Sequence, residues 1–91
     1  MLIAKVIGTV VATRKNTNLI GSKFMIVETL PVMGTGTQRL VAVDQAGAGI
    51  GDLVLVAQGS AARVQTGAEN ASIDAAIVGI VDNPEEIFVK E

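Results

Sequence analysis

The sequence predicts an all-β protein folded as a small five-stranded β-barrel with one short helical turn. Three observations favour this fold: short apolar segments, turn residues between them, and no pattern that would give a long helix. Strands and turns that follow one another at short spacing are typical of small barrels. With 91 residues the chain has the size of a single domain, and we expect one domain over residues 1–91.

The first half of the chain predicts three strands. Small or apolar side chains fill the even positions of the first strand, whereas Lys5 and Thr9 lie at odd positions. Gly8 in the middle of that strand predicts a bend, as barrels need at their corners. A segment with one proline and two glycines predicts a loop before the third strand. The predicted elements are strands at 2–14, 23–30 and 39–44 and a loop at 31–38.

The second half predicts two more strands around a helical turn. Ser60 is placed to cap the backbone amides that follow it, so we expect a single helical turn over 59–63. Pro84 ends the last strand, and residues 87–89 are expected to form a short terminal strand or an arm. The predicted elements are strands at 52–58 and 75–82, the helical turn, and a polar loop at 66–72.

Apolar residues make up 49% of the sequence, which is more than a lone small barrel can bury. The second, fourth and fifth strands are apolar on both faces. Because no long helix is predicted that could cover an apolar outer face, we expect neighbouring subunits to cover it. The sequence therefore predicts an oligomer of identical chains.

Composition excludes several function classes. Without cysteine there is neither a disulfide nor a thiolate metal site, and without histidine the commonest general base and metal ligand are missing. Seven basic residues against nine acidic ones give no basic face for nucleic acid. Lys5 interrupts the apolar start and no apolar run is long enough to span a membrane, so we expect no secretory signal and no membrane partner. We expect that the protein is cytoplasmic, binds no cofactor and is not an enzyme.

The glycine-rich segment 47–51 invites a nucleotide-binding interpretation. However, its G-A-G-I-G order lies between two strands and lacks both the dinucleotide fingerprint and the Gly-Lys-Ser/Thr ending of a P-loop. We interpret it as a tight connection in which two or three residues have positive φ, and we place Gly49 among these residues.

The other chemically suggestive residues also favour structural roles. Arg63 could bind an anion, but the favoured role is a contact that holds the helical turn, within the chain or across a subunit boundary. Ser60 lacks both the G-x-S-x-G pattern and a histidine that could activate it. Four aspartates lie beside turns, where aspartate commonly accepts hydrogen bonds from local amides, so a metal site is not expected. They are Asp44, Asp52, Asp74 and Asp82.

Five blocks of the sequence, in this order and spacing, resemble the EutN/CcmL family of bacterial microcompartment vertex proteins. They cover nearly the whole chain and make a more specific signal than any single glycine motif. The blocks are Met1–Thr13, Leu19–Val27, Ala42–Val56 with its glycine turn, Gly59–Arg63 and Ile73–Asp82.

The resemblance implies a β-barrel related to the OB-fold that assembles as a cyclic pentamer. Such pentamers fill the vertices of polyhedral shells made of hexameric tiles, because flat hexagonal sheets cannot close without five-fold units. The implied partners are copies of the chain itself and the hexameric shell proteins, in a shell within the bacterial cytoplasm. The residues implied to serve subunit contacts or the ring axis are Asp44, Gly47, Ala48, Gly49, Gly51, Asp52, Gly59, Ser60, Ala61, Arg63 and Asp74.

The alternative interpretation is a small OB-like module that binds single-stranded nucleic acid or a small anionic ligand. Such modules stack bases on aromatic side chains beside a positive groove, and this chain has two phenylalanines, no tyrosine and no tryptophan. Residues 31–38 and the tail after Asp82 depart most from the family, so we expect them to tune contacts with neighbouring tiles. The residues do not distinguish a carboxysome from a catabolic microcompartment.

Overall fold

A computed structural model describes residues 1–11, 23–34, 36–59, 62 and 74–90 of the chain. Five strands form a closed barrel in the order β1-β2-β3-β5-β4. Neighbouring strands pair antiparallel, except that β3 and β5 are parallel. This confirms the predicted all-β, five-stranded barrel. The strands are β1 Leu2–Val10, β2 Lys23–Thr29, β3 Arg39–Asp44, β4 Leu53–Gln58 and β5 Ala75–Val81.

The barrel interior is filled by small and β-branched side chains from alternate strand positions. Alternation places every second residue inside, and short side chains suit the narrow lumen of a five-stranded barrel. Among the described residues, Thr29 has a buried polar side chain, and its hydroxyl accepts a hydrogen bond of 2.9 Å from the Gln38 amide. The largest fully buried side chains are Val6, Val27, Val54, Val56 and Ile77.

Gly8 lies at an irregularity of β1, as the sequence predicts. Val6 pairs with Val27 and Gly8 pairs with Ile26, so Ile7 has no partner on β2. An extra residue of this kind bends a strand and increases its twist, which helps a sheet to close. The predicted end of β1 at residue 14 is wrong, because the strand ends at Val10 and Val11 lies outside it.

Two short 3-10 turns follow strands that the sequence places correctly. Pro31–Met33 forms the first, within the predicted loop, and Pro84–Glu86 forms the second, after β5. Residues 87–90 form no strand, so the predicted terminal strand is wrong and the alternative of an arm is the one observed. We call residues 87–90 the C-terminal arm. Its Phe88 and Val89 are 89% and 58% exposed.

A second apolar cluster lies outside the barrel lumen. Gly59 and Ala62, the described residues of the predicted helical turn, are both helical, and Ala62 is completely buried. The expectation that neighbouring subunits cover the apolar outer face is therefore wrong for this part of it, because Ala62 of the same chain packs there. The cluster consists of Val43, Ala57, Ala62 and Ala76, with Phe24 and Val78 packed against it.

Elsewhere the outer face leaves apolar side chains in solvent. Val41 on β3 is 55% exposed and Ile80 on β5 is 37% exposed. None of the helical segments in the described ranges has the length and apolarity needed to cross a membrane. The uncovered part of the outer face remains available for contacts with other chains.

Candidate functional site

Asp44 organises the glycine-rich turn between β3 and β4. One carboxylate oxygen of Asp44, Oδ1, accepts hydrogen bonds from the amides of Ala46 and Gly47, at 2.9 and 3.1 Å. Its other oxygen, Oδ2, accepts a bond of 2.9 Å from the Ala48 amide. Hydrogen bonds to an ionised acceptor are stronger than bonds between neutral groups. The prediction that this aspartate bonds local backbone amides is confirmed.

Asp52 closes the other side of the same turn. Its Oδ2 accepts a hydrogen bond of 2.8 Å from the Gly49 amide, and its own amide donates to the Gly49 carbonyl at 3.0 Å. The turn is also tied to the barrel, because the Gly51 amide donates to the Val6 carbonyl at 2.8 Å. In return, the Val6 amide donates to the Asp52 carbonyl at 2.9 Å. The turn is thus fixed to β1 by a pair of backbone bonds.

Two glycines of this turn have positive φ, as predicted, but Gly49 is not one of them. Gly47 has φ of +76° and Gly51 has φ of +95°, in the region that side chains disfavour. At Gly49 an added Cβ would meet only Asp52 Oδ2, at 3.8 Å, which is an ordinary contact. The expectation of positive φ at Gly49 is therefore wrong, because two aspartates, and not a left-handed glycine, shape the middle of the turn.

The hydrogen bonds of the turn also decide between the nucleotide-binding and structural interpretations. Phosphate-binding loops offer free backbone amides to the anion. Here the amides of residues 46–49 all donate to the carboxylates of Asp44 and Asp52. Those two negative charges would also repel a phosphate. Ala48 at the centre of the turn is buried in the barrel core, so the turn serves as a rigid closure of the barrel end.

A second group of candidate residues surrounds Gly59, at the far end of β4. The Gly59 amide donates to the Asp74 carbonyl at 2.8 Å, and Gly59 has φ of +63°. This bond brings the start of the helical turn to the start of β5. Asp52 and Gly59 flank β4, so six strand residues, or about 20 Å, separate them. Ser60, Ala61 and Arg63 lie outside the described residues.

The structure places further polar groups that the sequence analysis did not single out. Arg39 Nε and Glu28 Oε2 form an exposed ion pair of 2.9 Å between β3 and β2. Their positions face each other only in the observed register, so the sequence contained no local signal for the pair. Within the described ranges there is no cluster of three or more side chains that could hold a metal ion.

A groove of about 180 Å³ lies where the start of β4 meets the end of β5. We call it the acidic groove, because two carboxylates lie along it. Gly51 and Asp52 were already candidate residues, whereas the remaining lining becomes visible only through the pairing of Leu53 with Val81. The groove is lined by Gly51, Asp52, Leu53, Ile80, Val81, Asp82 and Pro84.

Two curated proteins similar to this chain are both described as shell vertex proteins. The chain is 47% identical over 89 residues to the bacterial microcompartment shell vertex protein GrpN of Rhodospirillum rubrum, covering 96% of this chain and 99% of that protein. It is 48% identical over 83 residues to the carboxysome shell vertex protein CcmL of Synechocystis sp., covering 90% of this chain and 83% of that protein.

Solved structures give the same result at the level of the fold. The GrpN pentameric microcompartment shell protein from Rhodospirillum rubrum superposes with a TM-score of 0.76 at 46% identity, covering 96% of this chain and 100% of that chain. A carboxysome subunit, CcmL, superposes with a TM-score of 0.80 at 46% identity, covering 90% of this chain and 86% of that chain.

The family model described as "Ethanolamine utilisation protein EutN/carboxysome" matches residues 1–82. This match spans all five strands and the glycine turn held by Asp44 and Asp52. Together with relatives that are nearly half identical over most of their length, it shows that the chain belongs to the EutN/CcmL family.

Proposed function

We propose that this chain is the vertex subunit of a bacterial microcompartment shell, where five copies form a ring that lets the shell close. The observation that carries the proposal is its similarity over nearly its whole length to GrpN, whose solved structure is that of a pentameric shell protein. In this role residues 1–91 act as one vertex domain, in a shell that lies within the bacterial cytoplasm.

A closed five-membered ring requires two different surfaces on each subunit, because each copy contacts the next one head to tail. Apolar side chains left in solvent on the barrel exterior, such as Ile80, supply surface for such contacts. The glycine turn held by Asp44 and Asp52 supplies rigidity at one end of the barrel. A rigid subunit suits a vertex, since the angle between neighbouring copies sets the curvature of the shell.

The residues proposed to serve subunit contacts or the ring axis belong to the two turns. In the first turn the aspartates hold the backbone, so their part in assembly is to fix the shape that the neighbouring copy meets. In the second turn the Gly59–Asp74 bond has the same part. The proposed residues are Asp44, Gly47, Ala48, Gly49, Gly51, Asp52, Gly59, Ser60, Ala61, Arg63 and Asp74.

The other partners of the ring are the hexameric proteins that form the flat faces of the shell. We assign contacts with these tiles to residues 31–38 and to the tail after Asp82. The role needs no catalytic group, no cofactor, no membrane contact and no nucleic acid. The turn amides that could have bound a phosphate donate to carboxylates instead, which supports a structural role over an anion-binding one.

Native mass spectrometry of the purified protein tests the ring directly. We expect five times the chain mass of 9.3 kDa. A monomer would contradict the proposal, and filter binding to single-stranded nucleic acid would then test the OB-like alternative. A hexamer would keep a shell role but remove the five-fold one.

Co-expression with hexameric tile proteins tests the vertex role separately from the ring. Closed polyhedral shells are expected with the vertex protein, and open sheets or tubes without it. A protein that forms pentamers but does not change the shape of the tile assemblies would contradict the vertex role while leaving the ring intact.

A further inference from the structure

We propose that the C-terminal arm docks in the acidic groove of the neighbouring copy in the ring. The inference rests on the proposed ring and names one of its contacts. It narrows the tile contacts proposed for the tail after Asp82 to residues 83–86. The arm is one surface and the groove is another, so the pair meets the head-to-tail requirement of a cyclic assembly.

The arm presents apolar side chains that its own barrel leaves in solvent. Phe88 is 89% exposed and Val89 is 58% exposed. Phenylalanine is among the residues that contribute most when an interface buries them, so an isolated exposed one next to a valine indicates a contact surface. The arm begins with extended backbone at Ile87, with φ of −97° and ψ of 114°, which suits a segment that lies along another surface.

The acidic groove has a size and a lining that fit this segment. Its volume is about 180 Å³. A cavity of about 150 Å³ is enough to bind benzene, so the groove has room for the ring of Phe88. Most of the lining is polar, and Leu53, Ile80 and Val81 supply the apolar part against which the aromatic side chain would pack.

Charge sets the direction in which the arm lies. The groove carries the carboxylates of Asp52 and Asp82, and the arm carries Lys90, two residues after Phe88. With the aromatic ring in the groove, the ammonium group of Lys90 lies within reach of a rim carboxylate. Opposite charges at the rim of a contact favour the correct partner and register.

The path of the chain explains why the arm reaches a second copy. Pro84 lines the groove and Phe88 follows four residues later, after the 3-10 turn Pro84–Glu86. Phe88 is exposed, so it does not fill the groove of its own barrel. The groove on the next barrel can receive it instead.

Cysteine cross-linking tests the contact, because the natural chain has no cysteine. We would combine Ile80→Cys, in the groove, with Val89→Cys, in the arm, and leave Phe88 intact. Under mild oxidation, or with a short bismaleimide, denaturing gels should show a covalent ladder from two chains up to five. The pair Val41→Cys with Val89→Cys is the matched control, since Val41 is exposed on β3, and it should give no ladder.

Three other outcomes of the cross-linking experiment would contradict the docking of the arm on the neighbouring copy. An internally linked monomer would show that the arm folds onto its own barrel. Pentamers without a ladder, or a ladder with Val41→Cys, would place the arm elsewhere and leave the proposed ring standing. A wild-type protein that is monomeric by native mass would contradict the ring itself. Mixing the Ile80→Cys and Val89→Cys single variants should give linked dimers only if the contact joins two copies.

A second variant measures how much the contact matters. Phe88→Ser should leave the folding of the separated subunit unchanged, because Phe88 makes little contact with its own barrel. It should raise the concentration at which half of the rings dissociate by at least tenfold. Val11→Ser, at an equally exposed position of 89%, should change that concentration by less than twofold. Equal effects of the two variants would contradict the docking of Phe88.

Discussion

Removal of the Asp44 carboxylate should cost more stability than any other change in the glycine turn. Asp44→Ala removes three hydrogen bonds, from the amides of Ala46, Gly47 and Ala48. In a half-exposed site each bond contributes about 1 kcal/mol, so the free energy of unfolding should fall by about 3 kcal/mol. Asp44→Asn keeps one acceptor oxygen and should lose about half of that amount.

The free energy of unfolding is best measured by urea denaturation at one fixed protein concentration, because the stability of a ring depends on concentration. With an m value of about 1.5 kcal/mol/M, the midpoint of Asp44→Ala should fall by roughly 2 M. Asp52→Ala is the matched control, because its carboxylate accepts a single turn bond, from Gly49, and should cost about 1 kcal/mol. Equal losses for the two alanine variants, or no recovery with asparagine, would refute this account of the turn.

Three further changes test other parts of the barrel. Gly51→Ala should lower the free energy of unfolding by about 1–2 kcal/mol, because φ is +95° at this position. Gly49→Ala should change it by less than about 0.5 kcal/mol, because an added Cβ makes only an ordinary contact there. If urea titrations gave the reverse order, the turn geometry would be contradicted. Ile77→Ala should cost about 2–5 kcal/mol, seen as a lower urea midpoint, since Ile77 is fully buried in the lumen; a loss below about 1 kcal/mol would mean that the barrel end collapses to fill the space. Ala62→Leu should cost about 1–3 kcal/mol by overpacking the outer cluster, and a thermal midpoint equal to that of the wild type would show that this cluster has spare room.

Local patterns in the sequence were sufficient to predict the strands. The third strand has the predicted bounds, and the ends of β2, β4 and β5 differ from the prediction by at most one residue. The exception is β1, which ends four residues before its predicted end. The reason is that the alternation of apolar residues and the placement of turn residues are local properties, and a barrel of short strands is built almost entirely from strands and turns. The roles of Asp44 and Gly8 follow from equally local rules: an aspartate beside a turn bonds amides, and a glycine inside a strand permits a bulge.

Features that depend on distant residues could not be predicted in this way. Gly49 has an unremarkable φ because Asp52 holds its amide, and that bond is not visible in a glycine pattern. The acidic groove needs the register that sets Leu53 against Val81. Ala62 packs in one cluster with Val43 and Ala76, which lie on two different strands far from it in the sequence. Each of these depends on pairing across the chain and not on a local motif.

The position of β1 between β2 and β4 has a consequence for how the protein is made. Leu2 pairs with Val56, a partner more than fifty residues further along the chain. At a translation rate of 5–20 residues per second, one edge of β1 waits roughly 3–10 s for its partner strand. Contacts so distant in sequence also slow folding relative to local pairing. The rate of translation therefore sets a minimum delay before the barrel of a new copy can close.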